Sequence, residues 1–423
     1  PIKLINFEDT QIFQTVTVET NIIILKKQNY SNNLQAAALR SDYILGTPLA
    51  PYFQNNSVEI NNLSSESWVI LPAKDYLIKN TIAKVGTQLK DWDIEFYRGF
   101  LTGHNEAFFL DKSQKDFLIK NEPNASSLIK PLVRGRNIRK YAYTFDDLYV
   151  LFIPWHFPLV EEDIVGASKE AEEKFKEEYP FVFKHLLNHK EKLLDRNKAE
   201  TGVRYEWYAL QRAAATYVEE FEKEKLIWLA ITDKPAFALD KNNMYVTAPA
   251  YIMTSKCNRY LLAVLNSKIM EWYLDKVTSS TGQGANQWSK IFVEQLPIPV
   301  LDEIARKPFE ILSDYLIFLH SDNKPKVNPH TENQNIAPVF EDVLNMCVYE
   351  LYFVEHMKNI DVDVLRFIDF PEIGLVKGDT RKAEVINDVY KKLQAQDNPI
   401  RNRIITANLD SPDIIRRINS TTH

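Results

Sequence analysis

Polar and apolar positions alternate near the start of the chain, where QIFQTVTVETNIIILKK (Gln11 to Lys27) sets Val16 and Val18 among Thr15, Thr17 and Glu19 before the apolar run Ile22 to Leu25. Period two marks a strand, because successive side chains point to opposite faces. The strand begins abruptly, with no turn or helix ahead of it, so the chain reads as a fragment whose neighbouring strands lie elsewhere. LYVLFI (148–153) and LIWLAI (226–231) predict further short strands, mixed with helical stretches as far as Val300. Residues 161–200 read as a charged helical region: EEDIVGASKEAEEKFKEEYP carries eight acidic residues against three lysines, the pattern of a solvated face. In YLLAVLNSKIMEWYLDK, Leu261, Leu265, Ile269 and Trp272 recur at spacings of three and four, which predicts one core-packed helix with Asn258 as its N-cap. Beyond Pro297 and Pro299 the spacing turns helical in DEIARKPFEILSDYLIFLH and APVFEDVLNMCVYELYFVEHMK, separated by the polar HSDNKPKVNPHTENQN. The fold class expected is α+β, a mixed α/β domain with a helical C-terminal unit and a short N-terminal strand remnant.

Length and composition narrow the function classes. At 423 residues the chain should hold several domains, since one domain takes about 100–200 residues. Hydrophobic residues at 45% and aromatics at 12% allow a sizeable core. No apolar run approaches the ~20 residues that cross a bilayer, and the start, PIKLINFEDT, lacks a signal-peptide pattern, so the location expected is cytoplasmic with no membrane partner. Cys257 and Cys347 are too few for a disulfide framework or a cysteine-rich zinc site and should be reduced core residues. The net charge of −6 runs against nucleic acid. A cleft needs only a local positive field, however, so the distribution of charge decides.

Several chemistries have no motif to carry them. With 11 glycines the chain contains neither GxGxxG nor GxxxxGK[ST]; GQGANQ, from Gly282, lacks the third glycine. There is no GxSxG elbow and no HExxH. His185 and His189 in HLLNH could share a helix face as metal ligands, but no third ligand is placed by the sequence, and they read as surface histidines. FEKEK (Phe221 to Lys225) reads as part of a charged helix rather than a nuclease metal site. No catalytic residue and no metal site are predicted.

Three polar clusters remain. PNASSLIKPLVRGRNIRKYAYTF, from Pro123 to Phe145, carries Lys130, Arg134, Arg136, Arg139 and Lys140 with no acidic residue. Arginine forks suit phosphate or the O6/N7 edge of guanine, and Tyr141 and Tyr143 add stacking or phosphate-bonding hydroxyls. YRGFLTGHNEAFFL (Tyr97 to Leu110) sets Thr102, His104 and Asn105 around Gly99 and Gly103. Its glycines indicate either close backbone approach to a ligand or a tight turn entering a strand. SSTGQGANQWSK (Ser279 to Lys290) offers Gln283, Asn286 and Gln287, whose amides suit the N6/N7 edge of adenine, or forms a flexible connection.

Four stretches, GFLTGHNEAFFL, IKPLVRGRNIRKY, LLAVLNSKIMEWYL and VEQLPIPV, resemble the TaqI-like C-terminal specificity domain of type II adenine methyltransferases and type IIG restriction-modification enzymes. The resemblance runs roughly from Trp68 to Val300, and the opening strands are similar to the last strands of the methyltransferase sheet that precedes this domain in the family. It implies domains at 1–30 (terminal methyltransferase strands) and 31–300 (target recognition); the helical unit expected at 301–423 from its spacing falls outside the resemblance. The implied function is recognition of double-stranded DNA for a methyltransferase that methylates a flipped adenine at N6. Its cofactor, S-adenosylmethionine, and the magnesium of any associated nuclease would belong to the parent protein, because no NPPY-type motif or cofactor glycine loop occurs here. The missing methyltransferase domain is then an implied partner. Lys130, Arg134, Arg136, Arg139 and Lys140 are the residues implied to face DNA; Thr102, His104, Asn105, Gln283, Asn286, Gln287 and Trp288 are candidates for base edges or the gap near a flipped base. The alternative from another class is a non-catalytic protein-interaction module of a restriction or phage-defence complex, favoured by the acidic overall charge.

Overall fold

A computed structural model describes residues 1–7, 20–27, 33–39, 43–60, 70–159, 166–196, 205–213, 216–232, 234–277 and 286–420. The alternating segment Gln11 to Glu19 lies outside them; the apolar run after it forms the strand Asn21–Ile24. That strand edges a sheet in which Lys3–Asn6 pairs antiparallel with it and parallel with Leu34–Ala38, followed by Val58–Ile60. A small core of Leu4, Leu34, Ala36, Ala38 and Ile70 backs this sheet.

Two larger cores hold the rest, and both draw on one antiparallel sheet ordered Ala238–Asp240, Lys225–Leu229, Ala250–Thr254, Glu95–Arg98. Period two divides its central strand between them: Leu226 and Trp228 face one core, Ile227 the other. Ile227 joins the core under a second sheet, ordered Tyr245–Val246, Ile129–Val133, Tyr149–Leu151, Phe109–Leu110. The helices Lys169–Glu178 and Pro180–Leu187 close that core with Phe175, Val182 and Leu186. Leu226 and Trp228 instead face the helices Asn258–Leu265 and Lys268–Val277 and the C-terminal helices Glu303–His320 and Asn333–Tyr352. Each fully buried Leu, Ile or Phe there contributes about 1.5–3 kcal/mol. The α+β class with a helical C-terminal unit is what the pattern predicted. No helix among the described residues is long and apolar enough to cross a membrane.

Three local expectations are corrected. The predicted single helix from Asn258 is two, broken at Asn266 and Ser267. Asn266 turns its amide on the backbone of Phe237, accepting from its N–H at 3.1 Å and donating to its carbonyl at 2.9 Å, a pairing that a continuous helix would not place. Asn258 is the first residue of its helix rather than the cap, because its amide donates to the Glu224 carbonyl at 3.0 Å. FEKEK is no exposed helix either. It is a 3-10 turn (Val218–Glu222) that delivers Lys225, fully buried, into the central strand to pair with the equally buried Asp240. Asp240 also accepts from Tyr143 Oη at 2.8 Å and from the Asn242 and Met244 amides, each at 2.9 Å. Those bonds replace the water that both charges lost. Both cysteines are free and buried, as expected.

Helices before and after the proline segment grip it at its carbonyls. Asp302 caps Glu303–His320 through the Ala305 amide at 2.8 Å, and Tyr352 and Tyr260 donate to the carbonyls of Pro297 and Pro299, both at 2.7 Å.

Candidate nucleic-acid interface

The loop after Ile129–Val133 is folded back on itself. Arg134 precedes a 3-10 turn, Gly135–Asn137, whose closing bonds run from Asn137 N to Arg134 O at 2.9 Å and from Ile138 N to Gly135 O at 3.0 Å. Thr144 N then donates to Asn137 O at 3.0 Å, and Tyr141 N to Phe237 O at 2.8 Å, with Tyr141 held at φ 68°. Gly135 packs on Leu229: a Cβ there would stand 2.6 Å from Leu229 Cδ1, at the end of the central strand, and that side chain would have to shift.

The same strand end receives the other two clusters. Gly99 N donates to Ala250 O at 2.9 Å, and Ala250 is in register with Leu229. A Cβ on Gly99 would meet the Thr247 and Val246 backbone at 2.5 Å. Trp288 N donates to Ala230 O at 2.6 Å, and Asn286–Gln287 pairs antiparallel with Ile231–Thr232 just beyond it. Three segments far apart in sequence therefore meet at the C-terminal end of Lys225–Leu229. Gln283 lies outside the described residues.

The five cations of the basic segment fare differently. Lys130 Nζ is 3.1 Å from Glu222 Oε1 and lies over the Tyr245 ring. Arg139 reaches both carboxylate oxygens of Asp322 at 2.9 and 3.0 Å, and Lys140 reaches Glu341 at 2.7 Å. Glu341 also contacts His320 Nε2 at 2.9 Å. Burial by itself would raise the Glu341 carboxyl, but the His320 hydrogen bond and the Lys140 and His320 charges hold it down at about 2. Arg134 is half-buried over the Phe109 ring, its Nε without a partner. Arg136 is exposed and has no carboxylate partner among the described residues.

The tyrosines are committed elsewhere. Tyr141 is buried beside the His320 ring, at 5.3 Å between centroids, and the Tyr143 hydroxyl is bonded to Asp240. Neither is placed to stack on a base or to bond a phosphate, because the native fold already uses its ring or hydroxyl. Trp288 is 1% exposed, set edge-on against Phe237, so it anchors its loop and has no face for a base. Thr102 is also buried, and its hydroxyl is 2.6 Å from Asn105 Oδ1, which holds the exposed Asn105 in place. His104 is half-buried behind that loop.

Two arginines escaped the sequence reading. Arg98 and Arg212 are exposed, with no carboxylate partner among the described residues, and Arg212 is bridged through its backbone to Leu101 at 3.0 Å in both directions. Arg98 had a signal, since YRGF and VRGR both set an arginine before a glycine packed against the central sheet. Arg212 had none. Arg196, half-buried, holds the neighbouring loop by donating to the carbonyls of Thr102, Trp207 and Ala209. Burial lowers it to about 10.

Comparison with known proteins fits this layout. Residues 130–298 match the TaqI-like C-terminal specificity domain. That span carries the five cations of the basic segment, the central strand and most of the LPIP stretch, and so confirms the likeness seen in those motifs; GFLTGHNEAFFL precedes it. The chain is also similar to the type II methyltransferase M.MjaIV of Methanocaldococcus jannaschii, 24% identical over 253 residues, which are 58% of this chain and 75% of that protein. Among solved structures it is similar to the type IIL restriction-modification enzyme MmeI in complex with DNA. The TM-score is 0.44 and the identity 12%, over 92% of this chain and 45% of that one, so the chain spans less than half of MmeI. Residues 130–298 are thus similar to a specificity domain, and the chain to a type II methyltransferase.

Proposed function

We propose that this chain reads double-stranded DNA as the specificity part of an S-adenosylmethionine-dependent N6-adenine methyltransferase or a type IIG restriction-modification enzyme. The observation that carries the reading is the meeting of three polar clusters at one strand end, with Arg98, Arg134, Arg136 and Arg212 left without carboxylate partners among the described residues, in a chain whose net charge is −6. Acidic surface elsewhere keeps the protein soluble, while unpaired arginines supply the local field that duplex DNA requires. In this reading Arg136 and Arg134 serve as base readers or phosphate anchors, with Arg98 and Arg212 extending the surface and Asn105 as a further base-edge candidate. Lys130 serves as a phosphate contact once its exposed partner Glu222 yields.

The cofactor belongs to another part of the enzyme. Neither a glycine-rich loop nor an NPPY-type motif occurs in the 423 residues, so they do not fit S-adenosylmethionine, and no methyl-transfer step is assigned to them. Selection of the chain against randomised duplexes at low and moderate salt tests the proposal. Enrichment of one short adenine-containing site is expected; absence of retention at either salt overturns it in favour of a protein-interaction module.

A further inference from the structure

Behind the Thr102–Asn105 loop lies a group that sequence spacing could not assemble. His104 comes from that loop, Glu106 from the short helix Asn105–Phe108 that follows, and His189 from the turn before the helix Lys190–Asp195. One potential ligand atom from each lies within 4.8 Å of those of the other two. His104 Nε2 is 3.7 Å from Glu106 Oε2, too far for a hydrogen bond, and the His104 and His189 ring centroids are 5.5 Å apart. His104 Nε2 is also sealed from solvent without any hydrogen-bond partner. A buried polar atom left in that state calls for an explanation, and an unplaced ion is one of the standard ones.

We propose that His104, Glu106 and His189 bind one divalent transition-metal ion of the zinc class. Two imidazole nitrogens and a carboxylate oxygen with a fourth position for water form a recurrent zinc set. Ligands at about 2.0–2.1 Å in a tetrahedron stand about 3.3 Å from one another, so closing onto an ion needs movements of about 1.5 Å at most. Glu106 is exposed and His189 half-buried, and torsions of their side chains supply such a movement.

Two cations face the site. Lys192 Nζ sits 3.4 Å from Glu106 Oε2 but is 66% exposed, so it can swing into water when an ion takes the carboxylate. Arg196 is committed to three carbonyls. His185, whose Nε2 is 3.0 Å from Ala107 O, packs its ring 5.8 Å from that of His189 and steadies it rather than ligating. The ion would tie the loop bearing Asn105 to the helical segment behind it. That role rests on the DNA-reading proposal; ion binding does not.

Isothermal titration of the chelator-treated 423-residue chain with Zn2+, repeated with Co2+ to read coordination from visible absorption, tests the site. One equivalent should bind, with a tetrahedral cobalt spectrum, and affinity should fall at least about tenfold in His189→Gln and in Glu106→Gln. His330→Gln, at an exposed histidine elsewhere, should change nothing, and Lys192→Gln should tighten binding by removing the competing charge. Circular dichroism of the metal-free variants establishes that they fold. No saturable binding near one equivalent, an octahedral cobalt spectrum, or undiminished affinity in folded His189→Gln overturns the proposal. DNA selection is scored separately, so either proposal can fail alone.

Discussion

Within one short loop, Arg139 and Lys140 reach carboxylates of the C-terminal unit, at 2.9 Å from Asp322 and 2.7 Å from Glu341. Arg134 and Arg136 reach none among the described residues. A local count of positive charge treats all four alike. The tertiary contacts do not: a cation already neutralised contributes little to binding DNA, whereas an unpaired arginine keeps its fork for phosphate or guanine. One half of the segment works as a strut to the helices, the other as the free surface.

The comparison breaks first on DNA. Arg136→Ala should cost about 1–3 kcal/mol at the cognate site and relax one position if it reads a base, or lower the salt slope by about 1 if it anchors phosphate. Its thermal midpoint should stay nearly unchanged, since exposed substitutions usually alter stability by less than about 0.5 kcal/mol. Binding isotherms at several salt concentrations, with a melting curve alongside, separate the outcomes, and unchanged affinity and specificity in both Arg134→Ala and Arg136→Ala would refute the assignment. Lys140→Ala should do the reverse, destabilising by about 1–2 kcal/mol, between the values for exposed and buried pairs, while sparing base preference.

Acid should weaken the same strut. The Glu341 carboxyl titrates near 2 when folded, below its ordinary 4.5, so its contribution is complete above about pH 4.5 and is lost as pH falls towards 2. Melting temperatures followed from pH 6 to 3 should drop less steeply in Lys140→Ala than in the parent chain. Arg139→Ala, at a largely exposed pair, should cost about 0–1 kcal/mol, less in added salt. The smallest change is expected from Glu222→Gln, which frees Lys130 and should tighten DNA binding slightly at low salt.

Local pattern carried much of the fold. LIWLAI and LYVLFI contain strands because their apolar runs are buried on both faces, and the helical C-terminal unit follows from apolar spacing beyond Pro299. What failed was pairing across the chain. Lys225 looked like one charge in a solvated string because its partner Asp240 lies on the next strand, and Asn266 interrupts a helix only because the Phe237 backbone is there to receive it. The candidate site divides similarly. The Arg-Gly-Arg segment was legible from composition, whereas the partners of Arg139 and Lys140, the burial of Trp288 and the convergence of His104 on His189 depend on contacts that no local window contains.

The turn that holds Arg134 and Arg136 is fastened by backbone bonds and by the seat of Gly135 on Leu229, none of which uses either arginine side chain. The two positions behave as replaceable type set in a fixed frame. If the chain reads DNA as proposed, a library randomised at 134 and 136 and left intact at 135 should keep the fold while changing the sequence it prefers, making this loop the place to begin re-addressing the protein to a new target.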